Sequence, residues 1–575
     1  MKFKLLEGSE NNYTDINSLC KNILLTRDIC DIKEYLNILN YRDKYENHYS
    51  LLDNIDEAVK CLIKHLENQS KIFIIADCDV DGVTSFSILY MYLKRLKPDI
   101  DLSYGIHTGK QHGITKDIQI PDDIDLLIVP DAGSNQLKEH KELKDKGIDI
   151  IILDHHEAEE ITQDAIIVNN QLCDYPNKQL SGVAIVYKFL QALDDETWNS
   201  MADDYLDLVA LGLIGDSMKV TEMETKYLIE KGLSRIRNKQ FKALIDKQEY
   251  SIKGRLNSHS VGFYVAPLIN AMIRVGKQNE KALMFKGFIE EYDEFDYKPR
   301  NKDEMIKEDI YTRVARLCSN TKNRQDKSRD KATKEISEIV LTKNKLDDKI
   351  IFVNCNNKYD LGIIGVTAIR IADKFNRPCI LLNKTSDGFG GSGRNTDRNT
   401  IKDLKSELNK TGLVHAEGHS QAMGVHIPLG VKVSDVIDKL NKQLKDVVFE
   451  DFYDVDFIIP FEELEDDFIY TIANLGDAWG RGCDEPLIAI TGLEFNESQI
   501  EIIGKQANVL KVVVDDVCFI KFKVGEDDEL ISNGSDWDDE DDKTFKIDLV
   551  GKCTIDSYNN IPQIIIEDYN IVEVM

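Results

Sequence analysis

The sequence predicts an α/β protein: a parallel-sheet domain and a smaller α/β unit joined by a long helix, with a β-barrel ending the chain. Three observations carry this expectation. From Lys71 onward, short apolar runs bounded by turn signals alternate with longer helical patterns, as parallel strands with crossover helices require. Asp303–Val340 is rich in Lys, Glu, Arg and Ala and contains neither Pro nor Gly, which predicts one long helix. After Asp451 the segments become alternating and rich in β-branched residues, as in Val509–Val514 and Val517–Val524.

Taken in order, residues 1–70 read as helices that pack on the domain that follows and carry no evident chemistry. The parallel-sheet domain spans 71–300. Within it Lys71–Ala76, Asp125–Val129, Ile148–Leu153 and Ala165–Val168 are strands, Ser85–Leu96 is a helix, and a further helix starts near Ser181. Residues 301–345 form the connecting helix, 346–448 the second α/β unit, and 449–575 the barrel. The acidic insertion Glu526–Asp542 reads as a solvated loop.

A chain of 575 residues exceeds one ordinary core. No window approaches the ~18 consecutive apolar residues of a membrane span, and Met1–Ser9 lacks the features of a secretory signal. A cytoplasmic monomer without membrane association is expected. The eleven cysteines are scattered, with no CxxC pair, which argues against a zinc ribbon and a disulfide framework. A net charge of −30 speaks against a generic nucleic-acid coat. An enzyme with a local basic groove is compatible with it, because divalent metals supply positive charge of their own. Lys231–Arg255 and Lys307–Lys334 could line such a groove or be solvated helix faces.

The chemistry concentrates at strand ends. Asp77, Asp79 and Asp81 precede Gly82 in DCDVDG. A calcium loop would need Glu at its twelfth position, where Ile88 stands, so that reading fails. Three carboxylates at alternate positions repel unless a cation holds them, although acids also favour helix N-termini. Asp131 lies in PDAGSN, Asp154-His155-His156 ends another apolar run, and Asp216 ends LGLIGD. Asp154 is placed to orient one of the rings as an outer partner. Hard oxygen ligands with one or two imidazoles suit Mn²⁺ or Mg²⁺ better than zinc.

DCDVDGVTS, DAGSNQ, LDHHEAE, QLSGVAIVYKFLQAL and LDLVALGLIGD resemble the ordered motifs of the DHH phosphoesterase superfamily. VGFYVAPLINAMIRVG, KNRQD, GGSGRN, EGHSQAMG and WGRGCDEP extend the resemblance to RecJ-type single-stranded-DNA-specific exonucleases over nearly the whole chain. It implies a DHH domain, a DHH-associated domain and an oligonucleotide-binding (OB-like) barrel. It also implies two Mn²⁺ (or Mg²⁺) ions. Asp79, Asp131, His155 and Asp216 match ligands of one ion, with Asp131 as the bridge; Asp77 matches a ligand of the second, and His156 the contact to the scissile phosphate. Lys110, Arg274, Ser392, Gly393, Arg394 and His419 are the implied nucleic-acid contacts. Three departures stand out: Ile75 where some members place a His, Asp360 where RecJ proteins usually have His, and Leu268 where Arg is common.

The activity implied is exonucleolytic hydrolysis of single-stranded DNA, 5′ to 3′, releasing mononucleotides in DNA repair or recombination. A helicase or single-strand-binding protein would deliver the substrate. The alternatives are a phosphodiesterase of short oligoribonucleotides or cyclic dinucleotides, and an inactive replication or repair scaffold. Retention of all six Asp and His residues weighs against the scaffold.

Overall fold

The computed structural model describes every residue except 109–110, 159, 161, 300–303, 397–398, 450–451, 505–507, 526–527, 533–542 and 557–558, and the side chains of 16–17. Two units divide the chain: residues 5–320 with 455–575, and residues 1–4 with 321–454. Helix Ile310–Thr342 carries the chain from the first unit into the second.

The centre of the first unit is a five-stranded, fully parallel sheet. Its order is Leu102–Ile106, Ile72–Ala76, Leu126–Pro130, Asp149–Asp154, Ile166–Asn169. The sequence IFIIA is buried at every position, as a strand covered on both faces demands. Its alternate residues divide between two cores. Ile72, Ile74 and Ala76 join the core shared with helices Val80–Leu96, Gly182–Thr197 and Leu206–Gly215, whereas Phe73 and Ile75 join Leu127, Val129, Ile150 and Ile152 on the opposite face. Ile75 is therefore a fully buried core residue.

The first seventy residues hold more than helices. Strand Lys2–Leu5 pairs with Phe452–Val455, and helices Ile16–Leu25 and Ile55–Glu67 contribute Leu19, Ile23, Ala58 and Leu62 to the main core. Arg27 clamps Asp456 through both guanidinium nitrogens, at 2.5 and 3.1 Å, and Tyr35 donates to Ala478 O at 2.8 Å.

The C-terminal segment forms a seven-stranded mixed sheet in the order Phe457–Pro460, Ile488–Asn496, Thr544–Ile555, Pro562–Val574, Val517–Phe522, Val509–Val514, Glu501–Ile503. Among the described residues no ladder joins its two ends, so closure into the barrel expected from sequence is not observed. Most of the acidic insertion lies outside the described residues; helix Glu529–Ser532 is the part that is placed. No described helix is long and apolar enough to cross a membrane.

The second unit is a five-stranded sheet in the order His415–His419, Ala422–Pro428, Gly388–Arg394, Cys379–Thr385, Ile351–Asn354. It is antiparallel except for the parallel pair Cys379–Thr385 with Ile351–Asn354. Helix Leu361–Phe375 packs beside it, and Asp360 caps that helix by accepting from Gly362 N–H at 2.7 Å.

Candidate active site

The parallel strands release their chains toward one end, and the acids follow directly. Asp77 comes off Ile72–Ala76, and two residues later Asp79 caps helix Val80–Leu96 by accepting from Gly82 N–H at 2.8 Å. Gly82 packs so closely that an added Cβ would stand 2.6 Å from the Asp77 Cβ. Asp81, the third acid of the motif, has a structural task as well. It is buried and accepts from Ser181 Oγ (2.8 Å), Gly182 N (2.6 Å) and Val183 N (3.1 Å). The carboxylate thus ties the first turn of helix Gly182–Thr197 to that of helix Val80–Leu96, where both the N–H groups and the helix dipole favour negative charge.

Asp131 follows strand Leu126–Pro130 at a positive φ of 65° and is buried. Its Oδ1 lies 3.2 Å from His155 Nε2, which is also 3.5 Å from Asp216 Oδ2 and 3.9 Å from Asp81 Oδ2. Asp216 caps the C-terminal end of helix Leu206–Gly215. Three segments distant in sequence therefore meet around the imidazole of a fourth.

The electrostatics are those of crowded acids, whose like charges a cation would offset. Burial, then the charges of Asp81 and Asp79, raise the Asp131 carboxyl well above the ordinary range. The same three causes push Asp216 up to about 8. Burial lowers His155, which keeps its ring neutral and fit to donate a lone pair. Asp77 Oδ1 and Asp131 Oδ1 are buried and accept no hydrogen bond. Buried carboxylate oxygens left without donors are rare and costly, and a divalent ion with oxygen and imidazole ligands satisfies them. The residues present fit a Mn²⁺ or Mg²⁺ ion.

Asp154 has a separate role. Burial opposes its ionisation, but hydrogen bonds from His156 Nδ1 (2.7 Å), Ser134 N (3.0 Å) and the amides of His155 and His156 (2.7 and 3.2 Å) hold it well below the usual carboxylate range. Asp154 in turn fixes the His156 ring. Although burial works against the charged ring, the hydrogen bond and charge of Asp154 raise it to about 9. His156 is half exposed, a cation at neutral pH whose ring is tilted by 49° to the His155 ring at a centroid distance of 4.4 Å.

Two histidines at this site escaped the sequence reasoning. His107 follows the edge strand Leu102–Ile106 and is fully buried. His112 donates or accepts through Nδ1 at 2.6 Å from Asp77 Oδ2. The segment GIHTGKQHG offered a signal, two histidines around a turn, but the preceding LSYGI is weakly apolar and its strand went unread.

The implied nucleic-acid contacts are distributed over both units. Lys110 lies outside the described residues. Arg274 is exposed on helix Ala266–Val275 and within electrostatic range of Asp79. Leu268, earlier on the same helix, is buried in the core, where an arginine would have no place. In the second unit the strand register aligns His419, Ala422 and Arg394 across three neighbouring strands. Arg394 Nη2 and Ser392 Oγ lie 2.9 and 3.6 Å from where a Cβ on Gly365 would be, so both side chains extend over helix Leu361–Phe375. The two basic stretches are extensively ion-paired: Arg237 with Asp204, Lys242 with Asp246, Arg316 with Glu308, and Arg329 with Asp326. That pattern favours solvated helix faces over a groove.

Comparison with known proteins agrees with this architecture. The model of the DHH family, N-terminal domain, matches residues 71–213, and that of the RecJ OB domain matches residues 455–568. A Bacillus subtilis (strain 168) prophage protein named as a single-strand DNA-specific exonuclease, YorK, is 38% identical over 100% of this chain and 98% of its own length. The chain belongs to the RecJ-type DHH family. Single-stranded-DNA-specific exonuclease RecJ of Bacillus subtilis (strain 168) is 28% identical over 91% of the chain and 64% of the relative. RecJ of Thermus thermophilus, solved with Mn²⁺, shares the fold at a TM-score of 0.68 and 18% identity, covering 91% of this chain and 72% of that one. The same protein solved with Mg²⁺ gives 0.67 and 16%, covering 100% and 79%. The fold of the RecJ-type DHH proteins thus extends over both units described here.

Proposed function

We propose that this chain is a two-metal exonuclease that degrades single-stranded DNA from the 5′ end, releasing mononucleotides. One observation carries the reading: Asp131, Asp216 and Asp81 surround the imidazole of His155 at the carboxyl ends of parallel strands, with Asp77 and Asp131 each presenting an oxygen that accepts nothing. The named activity of the relatives supplies the substrate class.

Asp79, Asp131, His155 and Asp216 would hold one ion, with Asp131 bridging to a second at Asp77. Bound there, two such ions activate water and stabilise the charge that develops on a phosphate. The protein's own groups do the rest. Asp154 keeps the His156 cation aimed outward, so its Nε2–H donates to a nonbridging phosphate oxygen and gains strength as charge accumulates there. Arg274, and Ser392, Arg394 and His419 on the second unit, hold backbone phosphates. The OB domain suits a strand longer than a dinucleotide, because such folds bind by stacking and backbone contacts. The protein acts in the cytoplasm as a monomer, in repair or recombination, on single strands delivered by a helicase or single-strand-binding protein.

The test uses single-stranded DNA labelled at each end in turn, with Mn²⁺ or EDTA. Early release of labelled mononucleotide from the 5′ end only, abolished by EDTA, is expected; early release from the 3′ end overturns the polarity. Asp131→Ala should abolish cleavage and lower Mn²⁺ binding, and an unchanged rate in that variant overturns the site.

A further inference from the structure

His107 is fully buried and sits beside the acid cluster without a partner for one of its nitrogens. Its Nε2 makes no hydrogen bond, although it faces Asp77 Oδ1 at 3.6 Å, an oxygen that also lacks a partner. Two orphaned polar atoms pointing at one another across a gap too long for a hydrogen bond are uncommon in a folded core. A simple ion pair would close the gap. A cation between them satisfies both.

The rest of the ring is arranged for the same purpose. Nδ1 lies 3.1 Å from Asp117 Oδ1. Asp117 is itself fixed by Thr108 N (2.9 Å), Thr108 Oγ1 (3.2 Å) and Thr115 Oγ1. Burial opposes its charge, but these hydrogen bonds and His107 outweigh burial and keep it ionised. An ionised carboxylate on Nδ1 places the ring proton there and leaves the Nε2 lone pair toward Asp77, the carboxylate–histidine pairing that orients imidazoles onto metals. The main chain is pinned as well, since Gln278 Nε2 donates to His107 O at 3.5 Å and Lys281 Nζ to Thr108 O at 3.1 Å. Ile75, by contrast, faces the opposite core.

We propose that His107 is a ligand of the second metal ion, binding through Nε2 beside Asp77, with Asp117 as the positioning residue that sets its tautomer. His112 then steadies the other oxygen of Asp77 from the solvent side. An imidazole from the neighbouring strand end thus takes the place of the histidine that some superfamily members carry at the position of Ile75. The proposal rests on the two-ion reading above.

The test counts ions rather than turnover. Metal-free protein is titrated with Mn²⁺, following free Mn²⁺ by electron paramagnetic resonance, with pulsed measurements of nitrogen coupling to the bound ion. Wild type should take two ions, with nitrogen coupling at both. His107→Ala should weaken the second ion at least about 10-fold and remove one nitrogen coupling, leaving the first ion unchanged. Asp117→Asn keeps the ring and should weaken the same ion by about 10–100-fold. It guards against a His107→Ala protein that fails to fold, which the melting curve of the metal-free chain reports. Two ions bound with unchanged affinity and unchanged nitrogen coupling in both variants overturns the proposal and spares the two-ion reading. Wild type binding no Mn²⁺ overturns the two-ion reading itself.

Discussion

Replacing Gly182 by alanine should damage metal binding while altering no ligand. Gly182 is the first residue of helix Gly182–Thr197, where alanine ordinarily gains up to about 1 kcal/mol over glycine. The structure reverses that expectation. A Cβ at this position would stand 2.4 Å from Asp131 Oδ1, 2.6 Å from its Cβ and 2.7 Å from its Cα. Ordinary contact begins at 3.4 Å, so the carboxylate must retreat by about 1 Å. Rotating the Asp131 side chain relieves only the first overlap, because Cβ and Cα do not move with it. The helix cannot retreat freely either, since the Gly182 and Val183 amides are tied to Asp81 at 2.6 and 3.1 Å. Overpacking of this kind costs about 1–3 kcal/mol, leaving a net loss of up to about 2 kcal/mol once a helix gain of about 1 kcal/mol is subtracted. A misplacement of about 1 Å in a catalytic group costs about 100-fold in rate. The assays are Mn²⁺ titration, denaturant unfolding of the metal-free chain, and release of mononucleotide from single-stranded DNA. A Gly182→Ala protein that is more stable than wild type, with unchanged Mn²⁺ affinity and rate, refutes the reasoning.

Two further outcomes follow from the same geometry. His156→Ala should lower cleavage by about 10²–10³-fold with Mn²⁺ stoichiometry unchanged, because the ring is anchored to Asp154 rather than to the acid cluster; loss of bound metal in a titration contradicts this division of labour. His140 is buried with neither ring nitrogen hydrogen-bonded, and burial lowers it from its ordinary value near 6.5. The unfolded chain therefore binds this proton more readily, so the stability the neutral ring contributes is present above pH 6.5 and is lost as pH falls below it. The loss is at most about 1.4 kcal/mol per pH unit. Denaturant unfolding at about pH 7.5 and 5.5, either side of that value, should show a smaller decline in His140→Leu than in wild type, and equal declines contradict it.

Much of the site was legible because its acids follow directly from apolar strands. Asp77, Asp131 and Asp154 each sit at such a boundary, and a parallel sheet gathers those boundaries at one end whatever the loop lengths between them. His107 was illegible for the complementary reason. Its strand, LSYGI, lies at the sheet edge and is only partly buried, so it carries neither a continuous apolar run nor a clean alternation. The partner that reveals its role, Asp117, is ten residues on, and its side chain meets the His107 ring only in the folded chain. The β-rich C-terminal segment announced its strands but not their closure, because alternation fixes which face a residue occupies and says nothing about which strands meet at the ends. Strand Lys2–Leu5 went unseen because a four-residue edge segment alternating between exposed and half-buried positions has almost no signal. The basic stretches left two readings open: sequence counts charges, and only the fold shows that Arg316 and Arg329 already have acidic partners.

The position of Asp81 explains why this site tolerates so much like charge. A cluster of acids that relied on a metal alone would splay apart whenever the metal left. Here Asp81 gives its negative charge to the first turn of helix Gly182–Thr197, and Asp154 gives its charge to a His156 cation and three amides. Those two carboxylates are satisfied by hydrogen bonds regardless of metal. The oxygens left without a donor are those of Asp77 and Asp131, and burial opposes the ionisation of both and of Asp216. They can take up protons when no metal is present and exchange them for an ion when one arrives. Structural acids hold the shape, and the remaining acids keep the affinity.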